Sequence, residues 1–224
     1  LRGASHPEEL VQRAAELGYH AIALTDECSM AGMVKAHMEA KRQGIQLIVG
    51  TELLIEQHLK LVLLAKSKPG YQSICRLITR ARRNANKGEY KITRKDLCAN
   101  CPGDCIALWF PQNRSHFIDG LWLKKIFPVD LWIGMELFFE GTDTQKKQRL
   151  KWLSQFFQLP LCACGDVHMH TRRKQLLQDT VTAIRLNTTV DALGYSTFAN
   201  AERHLRDLNT LQQIYDPEIL AATI

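Results

Sequence analysis

Residues 18–29 read Gly18-Tyr19-His20-Ala21-Ile22-Ala23-Leu24-Thr25-Asp26-Glu27-Cys28-Ser29, and the order of these residue types decides the fold. Gly18 is a helix terminator, Ala21–Leu24 is a short apolar strand, and Thr25–Ser29 is its polar tip. Ahead of Gly18, Ser5-His6-Pro7-Glu8 has the form of a capping box in which the Ser5 hydroxyl accepts from the Glu8 backbone N–H. Leu10, Val11, Ala14, Ala15 and Leu17 then recur at helical spacing. The unit repeats at once, with a helix over about 31–43, Gly44, and a strand Leu47-Ile48-Val49 ending at Gly50-Thr51-Glu52.

Further along, the apolar pattern predicts strands over 59–65, 105–109, 131–138 and 161–164, separated by helices over about 69–86, 115–126 and 144–157. Continuous apolar strands alternating with helices are usually parallel and covered on both faces, which leaves an open doubly wound sheet or an α/β barrel. No Gly-x-Gly-x-x-Gly follows a strand and there is no phosphate-binding loop, so the barrel is favoured. Asp26, Glu52 and the pair Asp166/His168 each follow an apolar strand, and a barrel gathers such strand ends at one mouth. In Asp-x-His the side chains lie two residues apart and share a face. A carboxylate and an imidazole so placed suit zinc, manganese or iron. Taken singly, Asp26 equally suits a helix cap, Glu52 a rim charge and His168 a backbone hydrogen bond.

The 224 residues, 46% of them hydrophobic, allow one sizeable α/β domain. No apolar run is long enough to span a bilayer, and Leu1-Arg2-Gly3 does not open a signal peptide, so a soluble piece of a longer chain is expected, with no membrane partner. Seven cysteines, an odd number set mostly in apolar surroundings, fit reduced thiols in the cytoplasm. Cys98, Cys101 and Cys105 resemble half a zinc site, but without a second Cys/His pair they read as free thiols. The formal charge of +6 is concentrated in residues 76–95, which hold eight Lys/Arg and one Glu. Arg80, Arg82, Arg83 and Lys87 are its candidate phosphate contacts, against the alternative of a solvated helix face.

Ala23-Leu24-Thr25-Asp26, Ile48-Val49-Gly50-Thr51-Glu52 and Gly165-Asp166-Val167-His168 resemble successive motifs of the polymerase and histidinol phosphatase (PHP) superfamily of metal-dependent phosphoesterases. The stretches LRGASHPEELVQRAAELGY, ALTDECSMAGMVKAH, LVLLAKSKPGY, ARRNANKGEYKITRKDL, GDVHMH and NAERHLR are similar to the amino-terminal PHP domain of error-prone bacterial C-family DNA polymerase alpha subunits. The resemblance implies a distorted TIM-like barrel of seven strands over residues 1–171, its first strand lying before Leu1. Residues 172–224 would end the domain and lead by a helical connector to the polymerase palm. It also implies a parent that copies DNA past lesions after damage, with DNA, the palm in cis and other damage-response polymerase subunits as partners. Magnesium would belong to the parent's nucleotidyl-transfer centre, beyond this chain.

Departures from the family pattern set the expectation for chemistry. The family's first motif, His-x-His, would precede Leu1. Glu27 stands where the second motif carries an imidazole, and Trp109-Phe110-Pro111 follows a strand after which replicative relatives often place a ligand cysteine; these bulky residues would fill the mouth. Phosphoester hydrolysis by this family needs a cluster of ions that makes a hydroxide and clamps the phosphate. Asp26, Glu52, Asp166 and His168 are therefore read as a vestigial site, able at most to hold one divalent zinc or manganese loosely, and no catalytic residue is assigned. An active phosphoesterase and a basic nucleic-acid-binding module are the alternatives.

Overall fold

The structure is a computed structural model that describes residues 2–100, 103–112 and 116–223, the His116 side chain excepted. Among these, helices α1 (Pro7–Glu16), α2 (Met33–Gln43), α3 (Lys68–Arg83), α4 (Arg94–Ala99), α5 (His116–Ile126) and α6 (Asp143–Phe157) interleave with six strands. The strands are β1 (Ala21–Leu24), β2 (Gln46–Ile55), β3 (Leu59–Ala65), β4 (Cys105–Phe110), β5 (Leu131–Glu136) and β6 (Leu161–Cys164). Helices α7 (Gln175–Leu186), α8 (Leu208–Ile214) and α9 (Pro217–Ala221) follow.

The sheet runs β1-β2-β3-β4-β5-β6 and curls into a half-barrel whose edges, β1 and β6, do not pair with one another among the described residues. It is mixed, not parallel as the apolar runs predict: β3 is antiparallel to both β2 and β4. The cause lies in Glu56-Gln57-His58. Strand β2 does not stop near Val49 but continues to Ile55, and only three residues separate it from β3. A parallel crossover needs a dozen or more. Glu56 and Gln57 have φ of 51° and 63°, the consecutive positive values of a primed hairpin turn.

Period-two alternation divides the sheet's faces. Leu59, Leu61 and Leu63 of β3, Ala107 and Trp109 of β4, and Ile133 and Met135 of β5 join Ile74, Leu77, Leu123, Leu153 and Phe157 of the covering helices in the main core. The other face carries Val62, Leu108 and Phe110, with Leu64, Ile106, Trp132, Cys162 and Cys164 beside them. Trp109 therefore packs outward, edge-on to Phe157 at 5.6 Å, and of the bulky residues expected in the mouth Phe110 is the one on the inner face.

Local signals held with one shift. Gly18 and Gly44 follow α1 and α2 with φ of 78° and 73°. The cap of α1, however, is His6, whose backbone N–H donates to Glu9 Oε2 at 2.8 Å, because Pro7 takes the first helical position. Ser5 turns away instead: the His170 N–H donates to its oxygen at 2.8 Å, and its hydroxyl shares a hydrogen bond with His170 Nδ1 at 2.8 Å. Together with Ala4 N–H on the His168 carbonyl at 2.7 Å, this ties the start of the chain to the loop after β6. Cys98 is a free, exposed thiol, Cys105 is buried, and Cys101 lies outside the described residues. No helix among the described residues is long and apolar enough to cross a membrane.

Candidate functional site at the mouth of the half-barrel

The ends of β1, β5 and β6 and the second half of β2 deliver acidic groups to one end of the sheet, and β3, running the other way, delivers Lys60, its second residue. Glu52 reaches the mouth because the tip of β1 is bonded to β2: Cys28 N–H donates to the Glu52 carbonyl at 2.8 Å and Glu52 N–H to that of Asp26 at 3.2 Å. Glu136 is the last residue of β5, opposite Cys164, and Asp166 lies two residues beyond, in a left-handed conformation of φ 40°.

At the centre stands Lys60. Its ammonium lies 2.9 Å from Glu136 Oε1, 3.1 Å from Glu52 Oε2 and 3.6 Å from Asp166 Oδ1, with the Phe110 ring centroid 4.8 Å away. The residue is only 8% exposed. Burial opposes its charge, but Glu136, Asp166 and Glu52 outweigh that cost and raise its pKa. Burial pushes the Glu52 carboxyl up against the pull of Lys60. Burial and the neighbouring Asp166 charge do the same to Glu136. For Asp166, burial is outweighed by Lys60, His168 and Arg203, which hold its carboxyl below the usual range. Arg203 also forms an ion pair with Asp166.

The structure brings Glu52, Asp166 and His168 to the mouth, and it commits each of the four expected ligands to protein partners. Asp26 takes a backbone hydrogen bond from Gly32 at the start of α2, and burial raises its carboxyl. His168 Nδ1 donates to the Asp166 carbonyl at 2.8 Å, and its ring meets Phe198 edge-on at 4.9 Å. Glu27, in the position of the family's imidazole, accepts from the Tyr90 hydroxyl at 2.6 Å on one oxygen and pairs with Arg2 on the other. The metal that the family implies does not fit this donor set. Three of the available carboxylates share an ammonium, and no group of three His, Cys, Asp or Glu among the described residues is arranged to hold an ion.

Lys60, Glu136 and Arg203 had no place among the expected site residues, yet two of them carried a signal. Lys60 interrupts the apolar run Leu59–Ala65 and Glu136 interrupts Leu131–Phe138, and a charge inside a buried strand requires a partner. Arg203 lies far along the chain and no local pattern points to it.

Burial depresses the pKa of His168, His170 and His204 alike, which favours the neutral form of each ring. Groups with depressed values contribute stability above their ordinary pKa, which is lost as pH falls through the folded value. Their imidazole resonances are expected to titrate below the ordinary histidine value of about 6.5. Midpoints at or above it, followed by NMR, would refute the buried neutral state.

The basic segment lies on α3 and the turn after it. Arg76, Arg80 and Arg83 fall at i, i+4 and i+7 on one exposed face, and Lys87 follows in the exposed turn. Arg80 keeps 60% of its side chain exposed while pairing with Asp96 at 3.3 Å. Arg82 is placed differently. It donates to the Cys28 carbonyl at 3.0 and 3.2 Å and to the carbonyls of Gly88 and Glu89 at 3.3 and 3.2 Å, with its guanidinium 5.5 Å from the Tyr90 ring centroid. It therefore fixes the loop after β1.

Residues 1–173 match the family model described as the PHP domain. The chain belongs to the PHP family. Over its whole length this PHP domain is 50% identical to an error-prone DNA polymerase of Methylococcus capsulatus, and 48% identical to those of Dechloromonas aromatica and Pseudomonas aeruginosa. It covers 21%, 22% and 21% of those relatives, so the chain spans about a fifth of their length. Among solved structures, a Bifidobacterium adolescentis protein assigned to the metal-dependent phosphoesterases shares the PHP domain's fold. Its TM-score is 0.55 at 13% identity, covering 75% of this chain and 84% of that one.

Proposed function

We propose that this PHP domain is the amino-terminal part of an error-prone, DNA-directed DNA polymerase that acts in damage-induced mutagenesis and translesion synthesis in the cytoplasm. Within it, the domain serves as a structural and DNA-positioning module without hydrolytic chemistry of its own. Identity of 48–50% over the whole chain supports the parent. Lys60 carries the assignment of role: an ammonium bound by Glu52, Glu136 and Asp166 occupies the carboxylates that a hydrolytic cluster would need. Residues 1–171 form the barrel and residues 172–224 the connector toward the palm, whose magnesium-dependent centre lies in the parent chain. Asp26, Glu52, Asp166 and His168 are vestiges of the family's ligands.

The intact protein supplied with manganese or zinc is expected to leave a model phosphodiester unhydrolysed and to release its metal on dialysis. Retention of about two or three ions per chain, with turnover lost in Asp166→Ala, would establish phosphoesterase activity instead.

The exposed cations of α3 are the proposed contact with the DNA backbone. Arg82 is left out of the test because its reversal would break the loop it holds. Reversing Arg76, Arg80, Arg83 and Lys87 to Glu in the intact protein is expected to weaken primer-template binding irrespective of sequence. For every phosphate that is no longer neutralised, the dependence of log K on log salt should flatten by about 0.9. Unchanged affinity and slope in a folded variant would make this a solvated helix face, its cations complementing the negative end of the α3 dipole.

A further inference from the structure

We propose that the mouth of the half-barrel is an intramolecular binding site for a guanidinium, that its ligand is Arg203, and that the acidic position inherited from the family now seats residues 198–206 on the barrel. Arg203 lies beyond the residues matched by the family model. Its guanidinium pairs with Asp166, and its central carbon lies 3.9 Å from the Phe138 ring centroid and 4.5 Å from that of Phe198. A carboxylate with two aromatic rings recognises a planar, weakly hydrated cation better than an ammonium.

The backbone around Arg203 follows its side chain. The N–H groups of His168 and Met169 both donate to the Arg203 carbonyl, at 2.9 and 3.1 Å, and Met169 bridges to His204. Asn200 Nδ2 donates to the Phe138 carbonyl at 2.7 Å, and Arg206 donates to that of Leu137 at 2.9 Å. The contacts come from the loops after β5 and β6, which are the rim of the mouth. Lys60 completes the arrangement by taking the other Asp166 oxygen and leaving one carboxylate edge for Arg203. The seat fixes the direction in which the chain leaves the barrel, whatever follows it.

Amide hydrogen exchange of the intact protein tests this. Arg203→Met and Asp166→Asn are each expected to speed exchange over 198–206 by about ten-fold, the scale of one charged hydrogen bond, while β2, β3 and α3 stay unchanged. Arg203→Lys, which keeps the charge and the fold but loses the planar stack, should give a smaller acceleration. Methylguanidinium should restore protection in Arg203→Ala but not in Asp166→Asn. Unchanged exchange over 198–206, an equal rise across the whole barrel, or full protection in Arg203→Lys would each overturn the proposal.

Discussion

Replacing Lys60 with Met is expected to lower the stability of the domain by about 3–5 kcal/mol at neutral pH, the cost of stranding buried charges after one partner is removed. For a chain of this size that is a fall of about 6–20 °C in Tm. Methionine matches the length of the lysine stem, so cavity formation contributes little, and the loss reports the three carboxylates left facing one another. The pH dependence separates this from a packing defect. Glu52 and Glu136 already sit above the ordinary glutamate range. Without Lys60 they rise further, and groups with raised values stabilise the fold at low pH and lose that contribution as pH rises through the folded value. The deficit should therefore shrink as pH is lowered toward the carboxylate range, and Glu136→Gln should restore part of it in the double variant. A pH-independent deficit in thermal denaturation would show that the charges were not its source.

The second large effect is expected at Gly50, where β2 begins to pair with β3. Up to Val49 the strand pairs with β1 alone, and from Gly50, opposite Leu64, it pairs with β3 while Glu52 still bridges to the β1 tip at Glu27. A Cβ on Gly50 would stand 2.6 Å from the Leu63 carbonyl oxygen and 2.6 Å from a Leu64 methyl. Backbone must move to admit it, so Gly50→Ala should cost about 1–3 kcal/mol. The two residues downstream, Thr51 and Glu52, would shift with it. Denaturant unfolding of Gly50→Ala, with a midpoint equal to that of the parent, would refute the close approach.

Strand and helix positions were largely legible because each apolar run is long enough to dominate its own neighbourhood. The run Leu161–Cys164 and the helix ending at Phe157 fall where periodicity puts them. The direction of β3 was not legible from apolar content, since a strand buried on both faces reads alike whichever way it runs. The deciding residues were Glu56 and Gln57, polar and outside the Asn-Gly and Asp-Gly pairs by which such turns are usually known. The short helix Arg94–Ala99 was hidden in the basic segment, although Thr93 and Asp96 form its capping box. At the site, local spacing showed which acidic groups follow strands. It gave no sign of the cations that neutralise them, because Lys60 comes from the reversed strand and Arg203 meets Asp166 from 37 residues away.

Because the strand order in space equals the strand order in the chain, the sheet is laid down by neighbours. Each pairing closes a modest loop, the smallest being the three residues between β2 and β3, and local pairings of this kind carry little closure entropy. During synthesis the sheet can extend strand by strand as the chain emerges, with the β2–β3 hairpin as its most local pairing. The contacts of greatest separation in sequence are of another kind: the Tyr19 hydroxyl with the Arg206 carbonyl, 187 residues apart, Gln178 with the Arg2 carbonyl, 176 apart, and Ser5 with His170, 165 apart. They join residues ahead of β1 to segments that lie beyond β6 in the chain. The half-barrel thus has an internal calendar, in which the sheet is early work and the ties across its open side are the last to be made.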